Sequence, residues 1–198
     1  MNYKFRDLKA EEIEVRVQSI KTKKAQDGTY SVSGAVLLFY KDARCDMNIL
    51  DETVGPENWQ RDHYQAKDSL FCKVGIYDEN KGWVWKADCG TESNTEAQKG
   101  ESSDSFKRAC VCWGIGRELY TAPFTWVGPE GIRTYDTKRT DKYGTPVFST
   151  NDHFSVEDIK IENKKIVAVK VRNDSLKRVV FEFGFKEPPQ FIPLEPRR

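Results

Sequence analysis

The sequence predicts an α+β fold whose core is three antiparallel strands followed by one long helix, a β-β-β-α arrangement. Between Trp59 and Cys89, apolar residues alternate with polar ones through three segments, which is typical of strands with one buried face. The next segment, residues 95–120, repeats its apolar residues every three or four positions, as on one face of a helix. Because a three-stranded meander needs a covering partner, we predict that this helix covers its buried face.

Two further elements are predicted before the meander. Residues 30–40 are rich in valine and leucine and indicate a strand. Asp42 is a suitable N-cap for a helix over residues 43–54, which Gly55-Pro56 ends. Residues 10–20 fit a helix or a strand equally well, since their apolar residues satisfy both spacings.

The chain changes character after Pro123. Residues 126–150 are rich in Gly, Pro, Thr and charges and predict an irregular connection. Three alternating segments, 156–161, 166–171 and 179–183, predict a small antiparallel extension, and the proline-rich tail cannot be regular. We therefore expect a core over residues 1–125 and a C-terminal β extension with an irregular tail over residues 126–198.

Composition limits the kind of protein this can be. The 198 residues carry a formal charge of +1 with 32% charged residues, so any phosphate-binding surface requires basic and acidic side chains to be segregated. No apolar run approaches the roughly 20 residues of a membrane span, and the first residues do not resemble a secretion signal. The expectation is a soluble cytoplasmic protein.

The sequence predicts neither a metal site nor a cofactor. The five cysteines include no C-x-x-C pair, and His63 and His153 have no partner at ligand spacing. The phosphate-binding motif G-x-x-x-x-G-K-[ST] is missing. A magnesium nuclease needs two or three converging acids, and nothing in the sequence forces the acids of the 43–54 helix together, although the nuclease stays open as an alternative.

Aromatic residues and one basic pair are the remaining candidates for function. Trp83 and Trp85 share one strand face and are interpreted as core rather than as base-stacking residues, and Trp113 is assigned to the docked face of the helix. Lys107 and Arg108 lie halfway along that helix, about 100° apart around its axis. Considered alone, such a pair is typical of a solvated surface.

Three blocks in the right order, spanning residues 10–123, resemble the single-strand annealing proteins of the Rad52 superfamily, in particular their phage relatives of the Sak type. The blocks are A-E-E-I-E-V-R-V-Q from Ala10, Y-K-D-A-R-C-D-M-N-I-L-D-E-T-V-G-P-E-N-W from Tyr40, and K-G-E-S-S-D-S-F-K-R-A-C-V-C-W-G-I-G-R-E-L-Y from Lys99.

The resemblance implies a β-β-β-α core that assembles into rings or helical filaments, with single-stranded DNA in a basic groove, its backbone inward and its bases outward. Arg16, in a first helix, would neutralise phosphate together with Lys107 and Arg108 of the long helix. Further groove residues implied by the resemblance are Thr91 after the third strand, Tyr40, and at the edges Arg44 and Lys99.

The chain also departs from that family. Eukaryotic members carry another basic residue four positions after the first of the K-R pair, where this chain has Val111. A basic residue near the end of the Tyr40 block is replaced by Cys45, with the charge one position earlier at Arg44. The long C-terminal region that recruits a recombinase in eukaryotes has no counterpart, so recombinase recruitment is not inferred.

The function implied is ATP-independent binding and annealing of single-stranded DNA in homologous recombination and double-strand break repair, without enzymatic activity, in a phage or prophage system acting in the bacterial cytoplasm. Its expected partners are single-stranded DNA, further copies of the chain, and a phage exonuclease or the host single-strand-binding protein. Two alternatives remain: a passive single-strand or double-stranded-RNA binding module, and the magnesium nuclease.

Overall fold

A computed structural model describes residues 3–66, 68–91 and 97–185, with only the backbone described for residues 97–99. The regular elements of this part of the chain, in order, are β1 (Glu14–Lys24), β2 (Tyr30–Tyr40), α1 (Ala43–Val54), β3 (Trp59–Ala66), β4 (Ser69–Asp78), β5 (Gly82–Cys89), α2 (Ala97–Trp113), β6 (Thr125–Val127), β7 (Tyr135–Thr140), β8 (Pro146–Ser149), β9 (Phe154–Glu162), β10 (Lys165–Asn173) and β11 (Arg178–Phe183). The predicted α+β class is confirmed.

The meander and the helix that covers it form the centre of the fold. Strands β3, β4 and β5 pair antiparallel in that order. The middle strand directs Cys72, Val74 and Ile76 into the core, where α2 buries Phe106 and Cys110. Because every second residue of β4 faces α2, the predicted β-β-β-α core is confirmed.

A second antiparallel sheet flanks this core. Within the described residues its strand order is β11-β10-β9-β1-β2-β6. The C-terminal strands β9 to β11 occupy the three segments predicted as strands, and they join the sheet through only two residue pairs, Glu14 with Ser155 and Val15 with Phe154. The division of the chain at residue 125 stays a prediction.

The ambiguous first segment is a strand preceded by a single 3₁₀ turn, Ala10–Glu12. The expectation that Arg16 lies in a helix is therefore wrong. Strand β1 pairs with β2 over nearly its whole length, from Glu14 opposite Tyr40 to Lys24 opposite Tyr30. This long-range pairing decides between two spacings that the local sequence satisfies equally well.

Two other boundaries differ from expectation. Helix α2 ends at Trp113 rather than continuing to Tyr120, because Gly114 and Gly116 take positive φ angles of 99° and 66°. A separate 3₁₀ turn, Arg117–Thr121, follows. The segment 126–150, expected to be irregular, includes the end of β6, the turn Pro129–Gly131 and the hairpin β7–β8.

The interpretation of Trp83 and Trp85 as core is wrong. Both lie on the outer face of β5 and keep 39% of their surface exposed. Alternation correctly places them on one face, but α2 covers the opposite face of the meander. Trp113 is the one that packs against the core, and its indole N–H donates to the Val74 carbonyl at 3.0 Å.

Helix α1 begins and ends as predicted. The Asp42 carboxylate accepts a hydrogen bond from the Arg44 backbone N–H at 2.7 Å, and Gly55 ends the helix with a φ of 87°. None of the helices described in this structure is long and apolar enough to cross a membrane.

A buried ion pair connects β2 to α1. Lys41, the residue after β2, donates to both carboxylate oxygens of Asp46, and both side chains are almost completely buried. The Lys41 stem also passes so close to Gly116 that a β-carbon there would overlap it. Burial raises the pKa of Asp46 to about 6, while the Lys41 charge acts to lower it.

Replacing Lys41→Met should lower the free energy of unfolding by about 3–5 kcal/mol, because the Asp46 carboxylate is left buried without its cation. A folded carboxyl with a raised pKa binds more protons than the unfolded one, so this loss should be larger at pH 8 than at pH 5. Urea unfolding at both pH values measures it.

The double variant Lys41→Met with Asp46→Leu is the matched control. It should recover most of the lost stability, since no charge is then left buried. A loss below about 1 kcal/mol in the single variant would contradict the structural role of the pair.

Candidate functional site

A groove of about 310 Å³ lies between the end of β2 and the C-terminal half of α2. Three of the residues predicted from the resemblance, Tyr40, Lys107 and Arg108, line it together. The full lining is Leu38, Phe39, Tyr40, Lys41, Asp104, Lys107, Arg108, Val111, Gly116, Leu119 and Tyr120. Residues that are far apart in the sequence therefore meet in one place.

Arg16 joins this site through the β1–β2 pairing. It lies opposite Leu38, and its guanidinium carbon is 5.2 Å from the centre of the Tyr40 ring, which is a cation–π contact. The Tyr40 ring also borders a second groove of about 830 Å³ between β1 and β9, which Arg16 lines. Arg16 and the cations of α2 therefore line two grooves that share Tyr40. The groove at α2 is hereafter the basic groove, and the groove at Arg16 is also lined by four acids, Glu11, Glu14, Asp152 and Glu157.

Tyr40 remains a neutral group in this surface. A side-chain hydrogen bond with Glu14 raises the pKa of Tyr40, and burial raises it further. Since the phenol stays protonated well above neutral pH, it adds no negative charge to the basic groove.

Arg108 is a half-buried cation held by an acid on the neighbouring strand. Its Nε lies 3.7 Å from the Asp88 carboxylate, beyond hydrogen-bond distance, so this buried N–H has no hydrogen-bond partner among the residues that the structure describes. Burial acts to lower the pKa of Arg108, but Asp88, Tyr120 and Asp104 raise it by more. Arg108 therefore keeps its charge and has an unused donor.

Lys107 is the more available of the two cations. Within the described residues it makes no ion pair. Its charge adds to the lowering of the Asp42 pKa and opposes the larger effect of burial, which raises the Asp46 pKa. In both acids this effect is smaller than that of the direct partner, Arg44 for Asp42 and Lys41 for Asp46. In the described part of the chain no acid pairs with the Lys107 ammonium group, which can therefore contact an external anion.

Thr91 reaches the groove indirectly. Its backbone N–H and hydroxyl donate to the same oxygen of Asp104, at 3.0 and 3.2 Å, and Asp104 lines the groove. Arg44 does not line it: its side chain is 83% exposed and pairs with Asp42 at 3.1 Å. The Lys99 side chain lies outside the described part of the structure.

Tyr120 and Leu119 are among the groove residues that the sequence did not predict. Both were assigned to a helix continuing from α2, whereas the 3₁₀ turn after Gly116 directs them to the end of the groove, with Tyr120 68% exposed. The glycine pair at positions 114 and 116 was the signal, because it ends the helix before them.

The acids of α1 that a magnesium nuclease would need each have a structural partner instead. Asp46 is buried against Lys41, and Asp42 caps α1 and pairs with Arg44. Asp51 accepts from the Trp59 indole N–H at 2.6 Å, and Glu52 pairs with Arg6 at 2.6 Å. Among the described residues, no three acidic, histidine or cysteine side chains converge as metal ligands would.

Comparison with known proteins adds one match. A family model described as "Rad52/22 family double-strand break repair protein" matches residues 5–131, more than half of the chain and all of the basic groove. No curated protein and no solved structure matches. Together with the β-β-β-α core and the convergence of Arg16, Tyr40, Lys107 and Arg108, the match shows that this chain belongs to the Rad52/22 family of double-strand break repair proteins.

Proposed function

We propose that the protein binds single-stranded DNA in the basic groove and anneals complementary strands without ATP. The observation that carries this proposal is that Tyr40, Lys107 and Arg108 line one groove, with Arg16 stacked on Tyr40 at its edge, in a member of this repair family. Thr91, Arg44 and Lys99 are proposed as flanking contacts.

The cations of the groove, Lys107 and Arg108, match the backbone of a nucleic acid, while the acid that also lines it, Asp104, accepts hydrogen bonds from Thr91. Lysine and arginine side chains neutralise phosphates and release counterions, so such binding is salt-dependent and indifferent to sequence. Near-neutral net charge is compatible with this role because acids of α1 are paired within the fold, while Lys107 makes no ion pair in the described part of the chain.

Annealing requires no catalytic centre under this proposal. Two strands pair slowly because their phosphates repel each other and their bases must meet in register. A groove that neutralises one backbone and holds that strand extended lowers both barriers. We further propose that copies of the chain assemble into a ring or filament, which would repeat the groove along the strand.

The biological setting proposed is a phage or prophage recombination system in a bacterial cytoplasm. A phage exonuclease that exposes single strands, or the host single-strand-binding protein, would be a natural partner because both act on the same substrate.

Annealing is tested by mixing complementary labelled oligonucleotides in EDTA without nucleotide. The protein should accelerate pairing, since the proposed mechanism uses only charge neutralisation and strand alignment. Strand pairing is followed by energy transfer between the labels. Binding without acceleration would identify a passive binding module, and cleavage that appears only with magnesium would identify a nuclease; either result contradicts the proposal.

Replacing Lys107→Ala or Arg108→Ala should weaken binding by a similar factor for oligonucleotides of different sequence, because phosphates carry no base information. The slope of log affinity against log salt should fall by about one for each lost phosphate contact. Fluorescence anisotropy over a salt series measures both. Lys142→Ala, in the exposed turn between β7 and β8, removes the same charge away from the groove and should leave binding unchanged.

Replacing Arg16→Ala should reduce the salt slope in the same way, because the proposal places Arg16 on the same surface as the α2 cations. Since its side chain stacks on Tyr40, thermal unfolding and sedimentation are measured in parallel to establish that fold and assembly are intact. Normal binding by an intact variant would show that Arg16, and with it β1, is not part of the proposed interface.

A further inference from the structure

The basic groove has apolar side chains beside its cations, hereafter the apolar wall. Leu38, Leu119 and Val111 line it beside the aromatic ring of Tyr120. Phosphate oxygens need hydrogen-bond donors or cations, which the aliphatic side chains of Leu38, Leu119 and Val111 cannot supply. This wall is therefore suited to a nucleobase, whereas Lys107 and Arg108 are suited to phosphate.

Val111 places an apolar side chain directly beside a cation of the groove. It lies four residues after Lys107, so the two side chains are neighbours on the same face of α2, and both line the groove. At this position the chain carries an isopropyl group next to a cation. A nucleotide whose phosphate is held by Lys107 consequently meets an apolar surface one helical turn further along.

Tyr120 supplies a ring at the same end of the groove. It is 68% exposed, and within the described residues no other aromatic ring stacks on it. It is close enough to Arg108 to raise the pKa of that group, although burial and Asp88 have larger effects. An exposed aromatic face beside a phosphate-binding cation is the arrangement on which single-strand binders stack bases.

The volume of the groove fits one nucleotide. About 310 Å³ is at the lower end of the range for small-molecule sites, roughly 300–1,000 Å³, and suits a single nucleotide unit rather than a duplex. The adjacent cations favour an anionic chain. Both features indicate one base of a bound single strand.

We propose that Tyr120 and Val111 form a base-binding wall, on which one nucleobase of the bound strand stacks while Lys107 and Arg108 hold the neighbouring phosphates. This inference rests on the proposed binding of single-stranded DNA in the groove. It makes binding depend on the presence of a base at one position per subunit, in addition to the sequence-independent phosphate contacts.

The test compares two probes of equal length, oligo(dT) and an oligomer whose sugars lack bases. Replacing Tyr120→Ala should weaken oligo(dT) binding by about tenfold and change binding of the abasic probe by less than about twofold, because only stacking is lost. The salt slope should be unchanged, in contrast to Lys107→Ala. Tyr120→Phe, which keeps the ring, should bind both probes as the unmodified protein does.

Tyr143→Ala is the matched control, because Tyr143 is also exposed and lies in the turn between β7 and β8, away from the groove. Equal effects of Tyr120→Ala on both probes, or no effect on either, would overturn the base-binding wall. If the unmodified protein binds neither probe, the proposed function itself fails, so the two failures are distinguishable.

Val111→Lys gives an independent readout on the other half of the wall. It should strengthen binding of the abasic probe and increase the salt slope by about one, because a cation then faces the backbone of the strand. An unchanged salt slope in a folded variant would show that position 111 does not contact the strand and would overturn its place in the wall.

Discussion

The buried ion pair between Lys41 and Asp46 is the interaction on which the arrangement of the basic groove depends. It joins the end of β2 to the first turns of α1, and the Lys41 stem lies against Gly116, three residues after the end of α2. Because Tyr40 is the preceding residue, the pair also places Tyr40 beside Lys107 and Arg108. A buried pair is costly to desolvate and adds little net stability, so its role here is to specify how three elements meet.

A second buried acid links the C-terminal strands to the same region. Glu118, in the 3₁₀ turn that carries Tyr120, accepts from the Leu8 backbone N–H at 2.7 Å and lies 3.8 Å from Lys164 in the β9–β10 turn. In the same turn, the Thr121 hydroxyl accepts from the Ile166 N–H at 2.9 Å. The position of the groove's end is thus coupled to the C-terminal sheet, because the turn between them has polar contacts on both sides.

Local patterns predicted most of the elements and several of the groove residues. Alternation indicated the meander strands, Asp42 and Gly55 marked the ends of α1, and three quoted blocks led to Arg16, Tyr40 and the Lys107-Arg108 pair. The outward direction of Trp83 and Trp85 could not be predicted, because alternation divides a strand into two faces without indicating which face a helix covers. Tyr120 was missed for a related reason: its spacing continued the helical pattern beyond the glycines that end α2.

The sequence by itself determined the class of fold, the order of its elements and the family to which the chain belongs, since each of these depends on residues close together along the chain. Only the tertiary structure decided that residues 14–24 form a strand and that Arg16 lies on the Tyr40 ring. It also decided that Leu119 and Tyr120 line one groove together with Val111 and the α2 cations. The groove brings together residues as far apart in the sequence as Leu38 and Tyr120 through strand pairing and helix packing, and no local spacing in the sequence encodes this arrangement.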